Sequence, residues 1–174
     1  MAVKIIANIL LILALATAQI AFISGLPGWF SYLNLVLVIL IFILGFTSFN
    51  FALWWSAGIG LMLEIFSFWP FGVYLISLSL TIIMANFLLD YFFTNRSLYS
   101  FLALVGLATL IFELIFNFIS WFFAESGGYF FLASLNFWTL ILKRISLNLL
   151  FTLTIYYLIY FLGRNLRPVF LVKS

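Results

Sequence analysis

Histidine and cysteine are both absent from this 174-residue chain. Without cysteine there is no disulfide, no thiolate metal ligand and no thiol nucleophile, and the redox compartment stays open. Without histidine the commonest general base, proton relay and metal ligand is missing, which removes the usual basis of hydrolase and transition-metal chemistry. Charge is scarce as well. Only 6% of residues are Asp, Glu, Lys or Arg, against about 25% in a soluble domain. The formal net charge of +3 sits mainly on short basic ends rather than on a polar face, so a nucleic-acid partner is not expected. No glycine-rich phosphate loop is present, and neither a cofactor nor a metal is expected.

What the chain does have is apolar mass: hydrophobic residues make up 68% of it and mean hydropathy is +1.36. No soluble domain could cover such a surface with so little charge, so the expectation is an integral membrane protein embedded in the lipid bilayer. The apolar runs are continuous rather than alternating, which favours helices over a barrel. Polar punctuation divides them into six spans, at about 5–23, 32–46, 51–66, 71–93, 98–123 and 145–162. Tyr129–Arg144, before the last span, reads either as interfacial or as an extension of that helix. The expected fold is a single all-α domain over 1–174, a polytopic six-transmembrane-helix bundle with no soluble module.

Six spans place both termini on one side. Lys4, Arg96, Arg164, Arg167 and Lys173 then share that side, five of the seven basic residues, and the positive-inside rule makes it cytoplasmic. Lys143 and Arg144 fall on the opposite side. The N-terminal run with Ala16-Thr17-Ala18 resembles a signal peptide with a small-residue cleavage site. Its apolar stretch continues to Ile23, however, and its removal would spoil the charge agreement, so an uncleaved first helix is expected.

Glu64 is the one charge between Lys4 and Asp90. An acid within a span costs at least about 2.5–3.5 kcal/mol, so such groups face a partner, a cavity or the bundle interior. Counting along the helices places Glu64 near the outer end of the third span. Glu113 lies at similar depth on the fifth, with Asn117 four residues on along the same face. Lys143 and Arg144 reach that depth from the last span. These five residues form a candidate intramembrane polar cluster or partner-contact site, in which one or both acids meet a cation. The alternative is that Glu64 reaches the headgroups beside Trp69-Pro70 while the cations snorkel. Asp90 and Arg96, at the other end, read as interfacial charges. Gly58 and Gly60 permit close backbone approach on the third helix, and Pro70 and Gly72 read as a turn.

The combination of Gly60, Glu64, Pro70 and Gly72, a long apolar helix to Asp90, and a second acid at Glu113 resembles the rod shape-determining protein MreD family over about 58–121. Glu64 stands where that family more often has Asp, and Phe71 where it usually has a small aliphatic residue. The resemblance implies a six-helix bacterial inner-membrane protein, related in fold to the substrate-binding subunits of energy-coupling-factor transporters. It implies a non-enzymatic scaffold of lateral peptidoglycan synthesis, bound to an MreC-like bitopic protein and other cell-elongation proteins. The competing reading is a solute-binding transporter subunit with an outward pocket supplied by Glu64, Glu113, Asn117, Asn136 and Lys143. A membrane enzyme with the two acids as its acid–base pair is a third.

Overall fold

The computed structural model describes residues 2–67, 69–93, 97–123 and 134–170. Among them the chain is all helical: α1 (Ala2–Thr17, continued by a wider π-helical turn, Ala18–Ile23), a 3₁₀ turn (Gly28–Tyr32), α2 (Leu35–Phe46), α3 (Phe49–Phe66), α4 (Val73–Tyr91), α5 (Leu98–Phe123) and α6 (Leu135–Phe170). Five segments are long and apolar enough to cross a membrane: Ile5–Ile23, Phe49–Phe66, Val73–Tyr91, Leu98–Phe123 and Leu135–Leu158. That indicates a multi-pass membrane protein.

The second expected span differs. Its helix, α2, has 12 residues, about 18 Å at 1.5 Å per residue, well short of a hydrocarbon core of about 30 Å. The reason is position. Residues 32–34 are spent on the 3₁₀ turn and the cap, and α2 lies at the centre of the bundle, touching each of the other five helices. It is apolar all round because it is packed all round: Val36, Leu37, Val38, Leu40 and Ile41 are fully buried.

A helix end at the centre of the bundle needs partners for its free N–H groups. Gln19, swung toward α2 by the π-helical turn, supplies two of them. Its Oε1 accepts from the Leu35 and Val36 amides at 2.9 and 3.4 Å, while its Nε2 donates to the Leu33 carbonyl at 3.1 Å. Asn34 Oδ1 accepts from Leu37 N at 3.0 Å. The Asn34 amide donates in turn to Asn148 Oδ1 on α6 at 2.9 Å, and Asn148 Nδ2 donates to Thr109 Oγ1 on α5 at 2.9 Å. One polar chain thus ties α1, α2, α5 and α6 together at the depth where α2 begins.

The last helix also departs from its expected bounds. It starts at Leu135 rather than 145, so residues 135–144 of the ambiguous segment belong to it, while residues 129–133 lie outside the described residues. Arg96 and Lys173, two of the charges on which the expected sidedness draws, also lie outside them. α5 occupies the span expected for it, and α3 and α4 fall within two residues of theirs.

Candidate functional site

The site begins with a short connection. α3 ends at Phe66 and α4 starts at Val73, and the chain reverses between them through Pro70-Phe71-Gly72. Gly72 precedes the first residue of α4 with φ +103°, a backbone region costly to any residue bearing a Cβ. The reversal carries the N-terminus of α4 back over the end of α3, where Glu64 Oε1 accepts a hydrogen bond from the Tyr74 amide at 2.7 Å. A carboxylate there satisfies a free helix-end donor and meets the positive end of the helix dipole. Close approach of the two backbones is possible because residue 60 is glycine. A Cβ on Gly60 would lie 2.8 Å from Leu75 Cα.

Glu64 is 5% exposed and its second oxygen, Oε2, is buried with no hydrogen-bond partner. Glu113 is 4% exposed and has a different neighbour: Arg144 Nη1 donates to its Oε1 across the α5–α6 contact. Arg144 itself keeps about a third of its side-chain surface exposed. Asn117 does not join the pair through its side chain; its Nδ2 donates to the Glu113 backbone carbonyl one turn back, at 2.8 Å. Lys143 meets neither acid, and its ammonium lies 5.5 Å from the centre of the Tyr32 ring, a cation–π geometry. Gly58 faces Ile12 of α1.

Of the candidate cluster, the fold therefore brings Glu113 to Arg144, ties Asn117 to the Glu113 backbone alone, and keeps Glu64 and Lys143 on separate partners. Asp90, at the far end of α4, accepts from Asn86 at 2.9 Å, one turn away on the same exposed surface.

Beside the pair lies a cavity of about 230 Å³, room for roughly seven waters at about 30 Å³ each. Its walls are aromatic, with Tyr32, Trp69, Tyr74, Phe112 and Phe116, and Arg144 stands at its edge. Phe116 holds that wall in place, with ring centroids 5.4 Å from Trp69, 4.9 Å from Tyr74 and 5.6 Å from Phe112. Tyr74 is within electrostatic reach of Arg144, Glu113 and Glu64. None of Glu64, Glu113, Asn117, Asn136 and Lys143, the residues expected to supply an outward pocket, lines the cavity. Glu64 and Glu113 are committed behind its wall, and Asn136 lies exposed on the first turn of α6.

Sequence reasoning missed Gln19, Asn34, Tyr74 and Asn148. Gln19 had a signal of its own: it is one of only two amide side chains in an otherwise apolar first span. Tyr74 had none, since an aromatic at the start of a membrane helix is commonplace. Among the described residues no group of His, Cys, Asp or Glu could hold a metal ion. No family model, curated protein or solved structure matches the chain.

Proposed function

We propose that this chain is a non-enzymatic scaffold of the bacterial inner membrane. It holds an MreC-like bitopic protein within the cell-elongation complex that builds lateral peptidoglycan. One observation carries the reading: the residues behind the resemblance to the MreD family act together as the architecture of one end of the bundle. Gly60 admits α4, Gly72 turns the chain, Glu64 caps α4 across that turn, and Glu113 fixes Arg144. A carboxylate on a backbone amide and one on a guanidinium both hold helix ends and helix contacts in place, which supports a structural role. By the positive-inside argument this end faces the periplasm, where the soluble part of a bitopic partner stands.

The test is co-purification from membranes co-expressing the chain with an MreC homologue from the same genome. Glu64→Leu is expected to lose the partner and Asp90→Asn to retain it. Retention by both variants defeats the reading. Orientation is checked separately. In this cysteine-free chain, Leu26→Cys should react with an impermeant thiol reagent from outside and Ser97→Cys only from inside.

A second reading, the solute-binding subunit of an energy-coupling-factor-type transporter, is favoured by the aromatic cavity beside Arg144. Co-purification with a coupling membrane protein and its ATPases, in place of the MreC homologue, selects it.

A further inference from the structure

Most polar residues in the wall of the cavity can be followed to a partner. Gln19 spends both ends of its amide on the start of α2. Asn34 caps Leu37 with its side-chain oxygen. Ser24, Ser31 and Ser67 donate their hydroxyls to the carbonyls of Gln19, Gly28 and Glu64. Beside the acceptor lone pairs of the hydroxyls, these residues leave several donors over. Arg144 uses one nitrogen on Glu113, and a guanidinium has five N–H groups. Among the described residues the Tyr32 and Tyr74 hydroxyls and the Trp69 indole N–H make no hydrogen bond. Spare donors around an aromatic chamber with one cation at its edge call for an acceptor on a flat apolar body.

We propose that this cavity is a binding site for a small aromatic carboxylate, its ring held among Trp69, Tyr74 and Phe116 and its oxygens on Arg144 and the Tyr74 hydroxyl. Charge narrows the class. Glu113 already balances Arg144 and the Glu64 carboxylate sits on the Tyr74 amide, so the site takes little added negative charge, which favours a monoanion over a dianionic phosphate. A carboxylate also matches the planar fork of a guanidinium, whose second edge can bind it while the first stays on Glu113. The dimensions agree. A cavity of about 230 Å³ has room for one ring and a short acid arm. The assignment rests on neither functional reading, since a scaffold and a transporter subunit could each carry such a ligand.

The experiment uses the full chain in nanodiscs and isothermal titration with benzoate, phenylacetate and indole-3-acetate. At least one is expected to bind saturably, and its neutral amide to bind at least about tenfold more weakly, because a hydrogen-bonded charge is lost. Tyr74→Phe is expected to weaken binding about tenfold while leaving the unfolding temperature of the ligand-free protein within a few degrees. Arg144→Lys, which retains a cation for Glu113 but loses the second edge, should weaken it by a similar factor. Absence of saturable binding by all three acids overturns the proposal. So does equal affinity for acid and amide, displacement of the acid by equimolar inorganic phosphate, or indifference to both substitutions. Partner co-purification is read independently, so failure here leaves the scaffold reading standing.

Discussion

Glu64 and Glu113 are buried to the same degree on the two helices that flank α4, yet the bundle uses them differently. Glu64 serves its own hairpin: its partner is a backbone amide ten residues on, and the bond closes a local turn. Glu113 serves a distant helix through a charged side chain 31 residues away. A backbone amide stays in place when the acid is changed. A buried ion pair leaves an uncompensated charge when either half is removed. The two acids therefore differ most in what their loss exposes, and that difference can be measured.

The largest effect should come from Arg144→Met, which strands the Glu113 carboxylate. Loss of one half of a fully buried pair costs about 3–5 kcal/mol. With Arg144 about a third exposed, about 2–3 kcal/mol is expected, read as reduced stability to unfolding in detergent. Adding Glu113→Leu to Arg144→Met should restore most of the loss, since no charge is then left unpaired. If the double variant is no more stable than Arg144→Met, the pair is not the source of the effect and the contrast between the two acids collapses.

Glu64→Ala should cost about 1–2 kcal/mol, the usual range for loss of a helix cap, with the Tyr74 amide left unsatisfied. Glu64→Gln should cost under about 1 kcal/mol, because an amide oxygen still accepts from Tyr74 N. A large loss for Glu64→Gln would show that the charge, rather than the acceptor, holds α4. Glu64 would then resemble Glu113 after all.

How far the sequence reveals these arrangements depends on what carries them. The bounds of α5 are legible because Asn95-Arg96-Ser97 and the polar run after Phe123 mark both ends of a long, mainly apolar stretch. Depth counting along α5 and α6 brings Glu113 and Arg144 to one level, and the ion pair lies there. The early start of α6 is hidden because two adjacent cations look like the end of a span. Both are accommodated inside the fold, Arg144 on Glu113 and Lys143 over Tyr32, so the helix runs through them. The partner of Glu64 is a main-chain group and leaves no mark on the sequence except the Pro-x-Gly turn that delivers it. The hub role of α2 is equally hidden. Both α1 and α2 read as apolar spans, and nothing in that reading shows that one is largely exposed at the edge of the bundle while the other is enclosed by five helices.

The hairpin that Glu64 caps can be probed from its glycines as well. Gly60→Ala places a methyl 2.8 Å from the Leu75 Cα, a backbone atom, and Gly58→Ala places one 3.1 Å from the tip of the Ile12 side chain. The first cannot be relieved without moving α4, and overpacking of that kind costs about 1–3 kcal/mol. The second is relieved by rotation of Ile12 and should fall within about 0.5 kcal/mol of wild type. Because the displacement occurs where Glu64 meets Tyr74, Gly60→Ala and Glu64→Ala should be less than additive in the same unfolding measurement. Full additivity would mean that close approach and capping are independent, and that Glu64 does not depend on the hairpin it closes.

The smallest effect should belong to Lys143, the cation that neither acid engages. Its ammonium lies over the Tyr32 ring at 5.5 Å, an interaction worth about 0.5–1 kcal/mol at an exposed site. Lys143→Gln should therefore shift stability by no more than that. Arg144 and Lys143 are adjacent in the chain and carry the same charge, so net charge at this depth cannot explain a difference between them. If Lys143→Gln costs as much as Arg144→Met, the summed positive charge near Glu113 outweighs the direct Arg144 contact, and the acid on α5 is held by a field and not by a bond. If the two differ by about 2 kcal/mol, the geometry of the guanidinium decides, which is also the group to which the cavity assigns a carboxylate.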